Sequence, residues 1–435
     1  MKSSLKNIIC IYALFMAINL ELFSCKEKKL KSFVDDDEIT TITSDSESEL
    51  MEALNILNEN GGTIYIDTPV INIVKMTRVA FGGEFPGGII GVRQSNGEYP
   101  RIHFVRSERE ELFNGVMIYG SNKFIEYIII ENSLNNGISI IGNNNILDHV
   151  ISRYNSGSGF FIYGDFNTFN YCYSYRNIYT SRYSLVGDGF DILGEINNVF
   201  NYCFAWDNGN SGFNYDRIFN TSDLSYLHSG SWNNGNINVF TGKYDYDNGN
   251  ALDKNMWTIQ EIMESDPNFV SNYYNKKYNV DNAKIGEFSV NEWVNMISPR
   301  MGGNGFVFGN TNSTQSIEVK RNSFYNIAFD QSGGFVDFYN HRYNAFFTDC
   351  VAFNNKINYY LTYTFSRWLN NWSWRSMNKD QLNGNVQAKT PINEISAQRT
   401  IYSVRDQIIR SVSANMFPDG INFDKAIVSL SQYYL

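Results

Sequence analysis

The stretch "GDGFDI" (residues 187–192) recurs, with changes, twice further along the chain. It returns as "NSGFNY" (210–215) and as "GNGFVF" (303–308), and each copy keeps a glycine followed by a phenylalanine in one alternating pattern. Alternation with a period of two indicates a β-strand, in which successive side chains point to opposite faces. The pattern therefore predicts that Phe190 and Ile192 point into a core, whereas Asp191 points outward.

The glycine of this frame sets a repeat that runs from about residue 123 onward. Its positions are Gly137, Gly159, Gly189, Gly212, Gly305 and Gly334. The first three intervals are 22, 30 and 23 residues, and the similar segments "CFAWDNGN" (203–210) and "SGSWNNGN" (229–236) lie 26 residues apart. A flat parallel sheet would need helical crossovers between its strands. Short strands repeated at this period without such helices instead predict coils stacked into a parallel β-helix.

The alternation also predicts one row of outward-facing side chains on neighbouring coils. Its members are Ser139, Phe161, Asp191, Asn214, Asn238, Val307 and Val336. A second set of residues recurs at the turns, namely Asn145, Asn167 and Asn198. Asparagine side chains at turns hydrogen-bond to nearby backbone groups, so these three are expected to join successive coils rather than to bind a ligand.

Three segments lie outside the regular repeat. Residues 46–58 are predicted to form a helix that caps the open end of the stack, because Ser46 and Glu49 fit a capping box ahead of an apolar face. Residues 243–302 interrupt the repeat and are predicted to form an excursion that contains short helices. The β-helix is expected to span residues 46–378, and a C-terminal helical segment, residues 379–435, is expected to cover the last coil.

The N-terminus predicts an exported protein. Lys2 and Lys6 precede the apolar run "IICIYALFMAINL" (8–20), which is too short to span a membrane comfortably and is typical of a signal peptide, assigned here to residues 1–24. The run ends in "LFSC" (22–25), which is similar to a bacterial lipobox. Cys25 is therefore predicted to carry acyl chains that anchor the protein to the cell membrane or outer membrane, with residues 25–45 as a flexible tether. An ordinary signal peptide and a periplasmic or secreted protein form the alternative.

Charge and cysteine content narrow the choice of partners. The 435-residue chain carries a net charge of −10, which argues against a nucleic-acid partner and disfavours direct, metal-free capture of an anionic polymer. Cys172, Cys203 and Cys350 each lie in an apolar strand frame, so they are expected to be buried free thiols. The protein is expected to be a monomer that contacts a membrane only through the lipid anchor.

Four segments together resemble polysaccharide lyase family nine, the calcium-dependent pectate lyases. They are residues 186–216, "SGSWNNGN", "GGNGFVFGN" (302–310) and "FPDGINFDKAIVSL" (417–430), and the match is best over 123–242 and 302–355. The resemblance implies an all-β, right-handed parallel β-helix that acts on or binds a uronate polymer. It also implies β-elimination, in which aspartates hold Ca²⁺ and a lysine removes the proton beside the substrate carboxylate.

The residues that the resemblance assigns to this chemistry are altered here. It places the calcium ligands at Asp188, Asn210 and Asn214, where only one member is an acid, and it places the catalytic lysine at Val307, which cannot take a proton. A substitute base would have to come from elsewhere in the chain. The candidates are Asp191, Asp216 and Lys243, followed by Arg217, His228, Lys320 and Arg321.

Substrate contacts and three functions remain open at this point. The aromatic residues that could stack on sugar rings are Phe161, Tyr163, Trp206, Tyr215 and Trp232, with Arg217 as a charged contact. The first function is a pectate lyase-like enzyme. The second is a non-catalytic module for glycan binding or adhesion, and the third is a glycoside hydrolase with paired carboxylates from Asp188, Asp191 and Asp216.

Overall fold

The computed structural model describes one helix and 31 strands in fourteen stretches of the chain. These stretches are residues 39–76, 78–105, 114–177, 179–181, 184–193, 197–215, 224–232, 234, 304–308, 320–337, 344–361, 365–369, 371–376 and 380–382. The helix, α1, spans Glu47–Asn60. Within the described residues, no helix combines the length and the apolar character needed to cross a membrane.

The strands are short and are numbered in chain order. Strands β1 to β10 are Ile39–Ile42, Gly62–Ile66, Val70–Ile73, Val79–Gly82, Gly87–Gly91, Arg101–Phe104, Val116–Tyr119, Lys123–Glu131, Ile138–Ile141 and Ile146–Arg153. Strands β11 to β21 are Phe160–Tyr163, Thr168–Asn170, Tyr173–Tyr175, Tyr179–Ser181, Ser184–Val186, Phe190–Ile192, Asn198–Asn201, Phe204–Trp206, Phe213–Tyr215, Leu224–Leu227 and Gly230–Trp232. Strands β22 to β31 are Asn304–Phe308, Lys320–Phe324, Ile327–Phe329, Gly333–Val336, Asn344–Thr348, Val351–Phe353, Ile357–Leu361, Phe365–Leu369, Trp372–Trp374 and Gln381–Leu382.

These strands stack as the coils of a parallel β-helix, as the repeat predicts. Ten strands form one sheet, ordered β4, β7, β9, β11, β16, β19, β22, β25, β28 and β31, and nineteen form a second sheet. The chain leaves the ten-stranded sheet at β16, passes through β17 and β18, and returns as β19, which pairs in parallel with β16. Within the described residues the one antiparallel pair is a hairpin of β14 and β15.

Helix α1 lies over the first coils. Its N-cap Ser46 accepts a hydrogen bond from the Glu49 backbone N–H at 3.1 Å, as the capping motif predicts. The Glu49 carboxylate instead accepts from the Ser44 hydroxyl at 3.0 Å, so the second half of the capping box is replaced by a contact outside the helix. One face of the helix is buried in the core, formed by Leu50, Ala53, Leu54 and Leu57.

The phenylalanine of the repeating frame forms a ladder of rings inside the solenoid. Phe190 stacks on Phe213 with ring centroids 4.7 Å apart, and Phe213 stacks on Phe306 at 4.8 Å. All three rings are fully buried. Identical residues on successive coils stack in this way because parallel in-register strands place equivalent side chains about 4.8 Å apart.

The glycine of the frame is required because two parts of a coil approach closely there. A Cβ at Gly212 would lie 2.1 Å from the Ser231 Oγ and 3.0 Å from the Asn234 Nδ2. Gly159 faces Ser174 and Asn177 in the same way, at 2.0 and 2.7 Å. Ser231 and Asn234 precede β22, so the repeated glycine marks where the start of one coil packs against the turn that closes that coil. This packing explains why the frame predicts the fold.

Buried asparagines join the coils at two turns. In the first ladder, Asn145 and Asn167 accept hydrogen bonds from the backbone of the preceding coil, at 2.8 and 2.9 Å, and Asn198 continues the series at 2.9 Å. The predicted structural role of these residues is confirmed. A second ladder, formed by Asn155, Asn177, Asn208 and Asn234, is also fully buried. Such ladders satisfy turn backbone groups that have no partner within their own coil.

The three internal cysteines are buried free thiols, as predicted. Burial raises the pKa of Cys172 well above its ordinary value, and a hydrogen bond with Cys203 acts in the same direction. Burial likewise raises the pKa of Cys350, to about 12. At neutral pH Cys172 and Cys350 therefore remain protonated and behave as small apolar side chains.

A buried ion network lies on the outer face of the nineteen-stranded sheet. Glu131 accepts from Arg153 Nε at 2.7 Å, and His103 Nδ1 and Arg101 lie 3.1 and 3.3 Å from its other oxygen. Burial alone would raise the pKa of Glu131. The hydrogen bonds from His103 and Arg153 and the charge of Arg153 outweigh that effect and hold the pKa at about 2.

The predicted boundaries differ from the described elements at two places. Strand β1 lies inside the predicted tether yet pairs with β2. Its last residue, Ile42, is buried in the core. Strand β31 lies inside the predicted C-terminal cap and pairs with β28. In the outward-facing row Asn214 pairs directly with Val307. The other predicted member, Asn238, lies outside the described residues. Residues 1–38, 243–302 and 383–435 lie outside the described residues.

Candidate functional site

The outward-facing row lies on the ten-stranded sheet in the predicted order. Phe161 pairs with Ser139 on one side and with Asp191 on the other. Asp191 pairs with Asn214, and the row continues to Val307 and Val336. Because parallel strands hold equivalent residues side by side, the polar members Asp191 and Asn214 are neighbours on one surface.

Three residues of the predicted metal site come together beside this row. Asp188 lies in the turn before β16 and is 2% exposed. Its Oδ1 accepts hydrogen bonds from Asn210 Nδ2 at 2.8 Å and from the Ser211 backbone N–H at 2.7 Å. Its Oδ2 accepts from Asn214 Nδ2 at 3.0 Å. We call these four residues, Asp188, Asn210, Ser211 and Asn214, the carboxylate staple.

The donor set of the staple does not fit a calcium ion. Calcium takes six to eight oxygen ligands, usually from several carboxylates. Here one carboxylate is surrounded by three N–H donors, and the two amides turn nitrogen rather than oxygen toward it. Across the described stretches, no group of three or more His, Cys, Asp or Glu residues is arranged to hold a metal.

The staple also limits acid–base chemistry at Asp188. Hydrogen bonds from N–H groups favour the ionised carboxylate, which cannot donate a proton to a leaving group. Val307, at the position that the resemblance gives to the lysine, is 1% exposed and has no titratable group. Asp191 is half-buried on the outward row. The other predicted bases, Asp216 and Lys243, lie outside the described residues.

Of the remaining charged candidates, none that the structure describes lies beside the staple. His228 is sandwiched between Tyr202 and Tyr325, with ring centroids 4.7 and 5.2 Å away, at the bend that precedes β21. Lys320 and Arg321 belong to β23 of the nineteen-stranded sheet, not to the sheet that carries the staple. Arg217 lies outside the described residues.

Three of the predicted sugar-binding rings are buried. Trp206 and Trp232 are 7% and 5% exposed and stack on each other with centroids 5.2 Å apart. Tyr215 is 1% exposed and belongs to the core. This placement does not favour a substrate-binding role, because stacking on sugar requires a ring face that is open to solvent.

An exposed aromatic strip lies on the ten-stranded sheet instead. Tyr119, Ile141 and Tyr163 are register partners on β7, β9 and β11, and they are 42%, 40% and 41% exposed. We call these three residues, two tyrosines and one isoleucine, the aromatic strip. Tyr163 points to the same face as Phe161, whose neighbour is Asp191. The strip therefore shares one surface with the polar residues of the row.

Tyr163 is among the rings predicted from the sequence to bind sugar, whereas Tyr119 is not. A signal was available, because Tyr119, Ile141 and Tyr163 are spaced by 22 residues and each precedes a glycine. Those glycines, Gly120, Gly142 and Gly164, all have positive φ. The strip thus occupies one repeated position at the end of a strand.

Comparisons with known proteins show which proteins have a similar architecture. A model for the Pel9A-like right-handed β-helix region matches residues 33–254, just over half of the chain. A crystal structure of pectate lyase Pel9A is similar with a TM-score of 0.51 at 19% identity, covering 78% of this chain and 72% of that one. A rhamnogalacturonan lyase is similar with a TM-score of 0.52 at 15% identity, covering 82% and 87%. A comparison with curated proteins gives no significant match.

These findings confirm the predicted fold class and the predicted resemblance. The two similar structures share less than a fifth of their residues with this chain, so they establish the fold and its right-handed coil but not an activity. The altered ligand and base positions described above are features of this chain within that fold. The chain belongs to the family of Pel9A-like right-handed β-helix proteins.

Proposed function

We propose that this protein binds polysaccharide along the outer face of the ten-stranded sheet and does not cleave it by calcium-dependent elimination. The observation that carries the proposal is the aromatic strip, which is exposed on the same surface as Asp191 and Asn214. The two similar structures are named a pectate lyase and a rhamnogalacturonan lyase, which supports a polysaccharide as the class of partner.

The surface combines the two kinds of contact that a sugar chain requires. Pyranose rings have apolar faces that stack on aromatic side chains, and hydroxyl groups that pair with carboxylates and amides. Tyr119 and Tyr163 are two coils apart, so about 9.6 Å separates them along the solenoid axis. A sugar chain that lies along the axis can contact both rings and reach Asp191 on the next coil.

Binding is preferred to elimination because no described residue at the site suits the reaction. Elimination requires a group that removes a proton and a charge that stabilises the resulting anion. The base position is Val307, and the single carboxylate of the staple already accepts three hydrogen bonds. We place the protein outside the cell, with Cys25 as the membrane anchor, as the N-terminal sequence predicts.

Removing both rings of the strip tests this proposal. Tyr119→Ala combined with Tyr163→Ala is expected to weaken polysaccharide binding about tenfold, because aromatic contacts are worth about 0.5–1.5 kcal/mol each. Affinity electrophoresis against polygalacturonate, rhamnogalacturonan and neutral polysaccharides measures the change. Tyr65→Ala is the matched control, since Tyr65 is a half-exposed tyrosine of β2 in the other sheet.

The control should bind as the unmodified protein does, and both proteins should keep the same far-ultraviolet spectrum. Equal binding by the double variant and the unmodified protein would contradict the proposal, as would the absence of binding to every polymer tested.

A further inference from the structure

We infer that the carboxylate staple is a metal-free replacement for a cation site, so that this chain needs no Ca²⁺ at this position. The inference is independent of the polysaccharide proposal, because its readouts are stability and cation binding. The resemblance places a calcium ion where Asp188 accepts three hydrogen bonds from Asn210, Ser211 and Asn214.

The hydrogen-bond donors of the staple have a defined orientation. The Ser211 N–H is part of the backbone between the turn and β19, so it cannot rotate away from Asp188. The two amides could rotate, but their nitrogens already donate to the two carboxylate oxygens at 2.8 and 3.0 Å. Turning their oxygens toward the carboxylate without a cation would set acceptor against acceptor. The orientation present is therefore the stable one without metal.

The described residues of the staple carry little negative charge for a divalent cation. Desolvating a divalent cation is costly unless several negative ligands compensate for it. Among the described residues, the staple supplies one negative charge. Asp191, which pairs with Asn214, is the neighbouring carboxylate of the outward row, and Asp216 lies outside the described residues. Asn210 and Asn214 are neutral, so the cluster falls short of the charge that a calcium site usually holds.

The staple joins successive coils of the β-helix. Asp188 precedes β16, whereas Asn210 and Asn214 belong to the next coil. The Asp188 backbone N–H also donates to Ser158 Oγ of the preceding coil at 3.2 Å. The staple thus connects three successive coils at the surface that carries the outward row. Charge-assisted hydrogen bonds at these distances are stronger than neutral ones, so they can hold the coils without an ion.

Calcium titration of two proteins tests the inference. For the unmodified protein, the melting temperature in CaCl₂ and in a chelator is expected to agree within about 1 °C. Asn210→Asp combined with Asn214→Asp places three carboxylates together. This variant is expected to melt lower than the unmodified protein in chelator, because like charges repel. Added Ca²⁺ should raise its melting temperature by about 3 °C or more, with one binding site in titration calorimetry.

Two further variants keep the test decisive. Asn214→Asp alone covers the case in which the double variant does not fold, and it should show a smaller response to Ca²⁺. Asn170→Asp is the control, because its half-exposed side chain lies on β12 in the other sheet and should give no response. A calcium-dependent rise in the unmodified protein that Asp188→Asn abolishes would overturn the inference. An acid variant that folds but does not respond to Ca²⁺ would overturn it too.

Discussion

Gly212→Ala is expected to lower the free energy of unfolding by about 3 kcal/mol. The new Cβ would lie 2.1 Å from Ser231 Oγ and 3.0 Å from both Asn234 Nδ2 and the Gly305 carbonyl oxygen. Contacts this short force the coil to shift, and overpacking of a filled core typically costs 1–3 kcal/mol or more. Without the clash, alanine would stabilise the fold by reducing the freedom of the unfolded chain. Urea denaturation followed by tryptophan fluorescence measures the difference.

A second substitution distinguishes this clash from a general loss of stability. Ser231→Gly removes the side chain that the new methyl group would meet, so the double variant should recover part of the loss. The coupling between the two sites should be about 1 kcal/mol or more, even though Ser231→Gly alone is destabilising through its lost hydrogen bond with Asn234. Additive effects of the two substitutions would contradict this account of the repeated glycine.

Acidification from pH 4.5 to pH 2 is expected to remove about 3 kcal/mol of stability through Glu131. Its pKa is about 2 in the folded protein and 4.5 ordinarily, so folding favours the ionised form. A carboxylate with a lowered pKa stabilises the fold fully above its ordinary pKa, and that contribution disappears as the pH falls toward the folded value. The network with Arg153 and His103 causes the shift.

Glu131→Gln isolates this contribution. The variant should be less stable than the unmodified protein at neutral pH, because it leaves the buried Arg153 without its anionic partner. Between pH 4.5 and 2 its stability should fall by about 3 kcal/mol less than that of the unmodified protein. Urea denaturation at several pH values gives the two curves. Parallel curves over this window would show that Glu131 is not the group responsible.

Most of the fold could be predicted from the repeated frame. The frame glycine reports a close approach within each coil, its phenylalanine reports an internal ring stack, and the turn asparagines report ladders between coils. Each is a local requirement that recurs on every coil, so one sequence displays it several times. The direct pairing of Asn214 with Val307 could not be predicted, because 92 residues separate them and the local pattern does not show which strands are neighbours.

The candidate site was only partly predictable. The frame brought Asp188, Asn210 and Asn214 together, but it could not give the direction in which the amides hydrogen-bond. Trp206 and Trp232 alternate correctly for an outward position, yet both are buried. Their ring faces are covered by stacking on equivalent rings of the adjacent coils, Tyr175, Phe329 and each other. The 22-residue spacing of the aromatic strip is visible in the sequence, but that spacing does not give the exposure of its three side chains.

The most direct test of the central claim is a product assay on the full chain. The protein is incubated with polygalacturonate, rhamnogalacturonan and neutral polysaccharides, with Ca²⁺ or with chelator, while binding and ultraviolet absorbance are recorded. We expect binding to at least one polymer that chelator leaves unchanged, with no rise in absorbance from unsaturated sugars and no new reducing ends. Unsaturated products that form with Ca²⁺ and disappear with chelator would contradict the account.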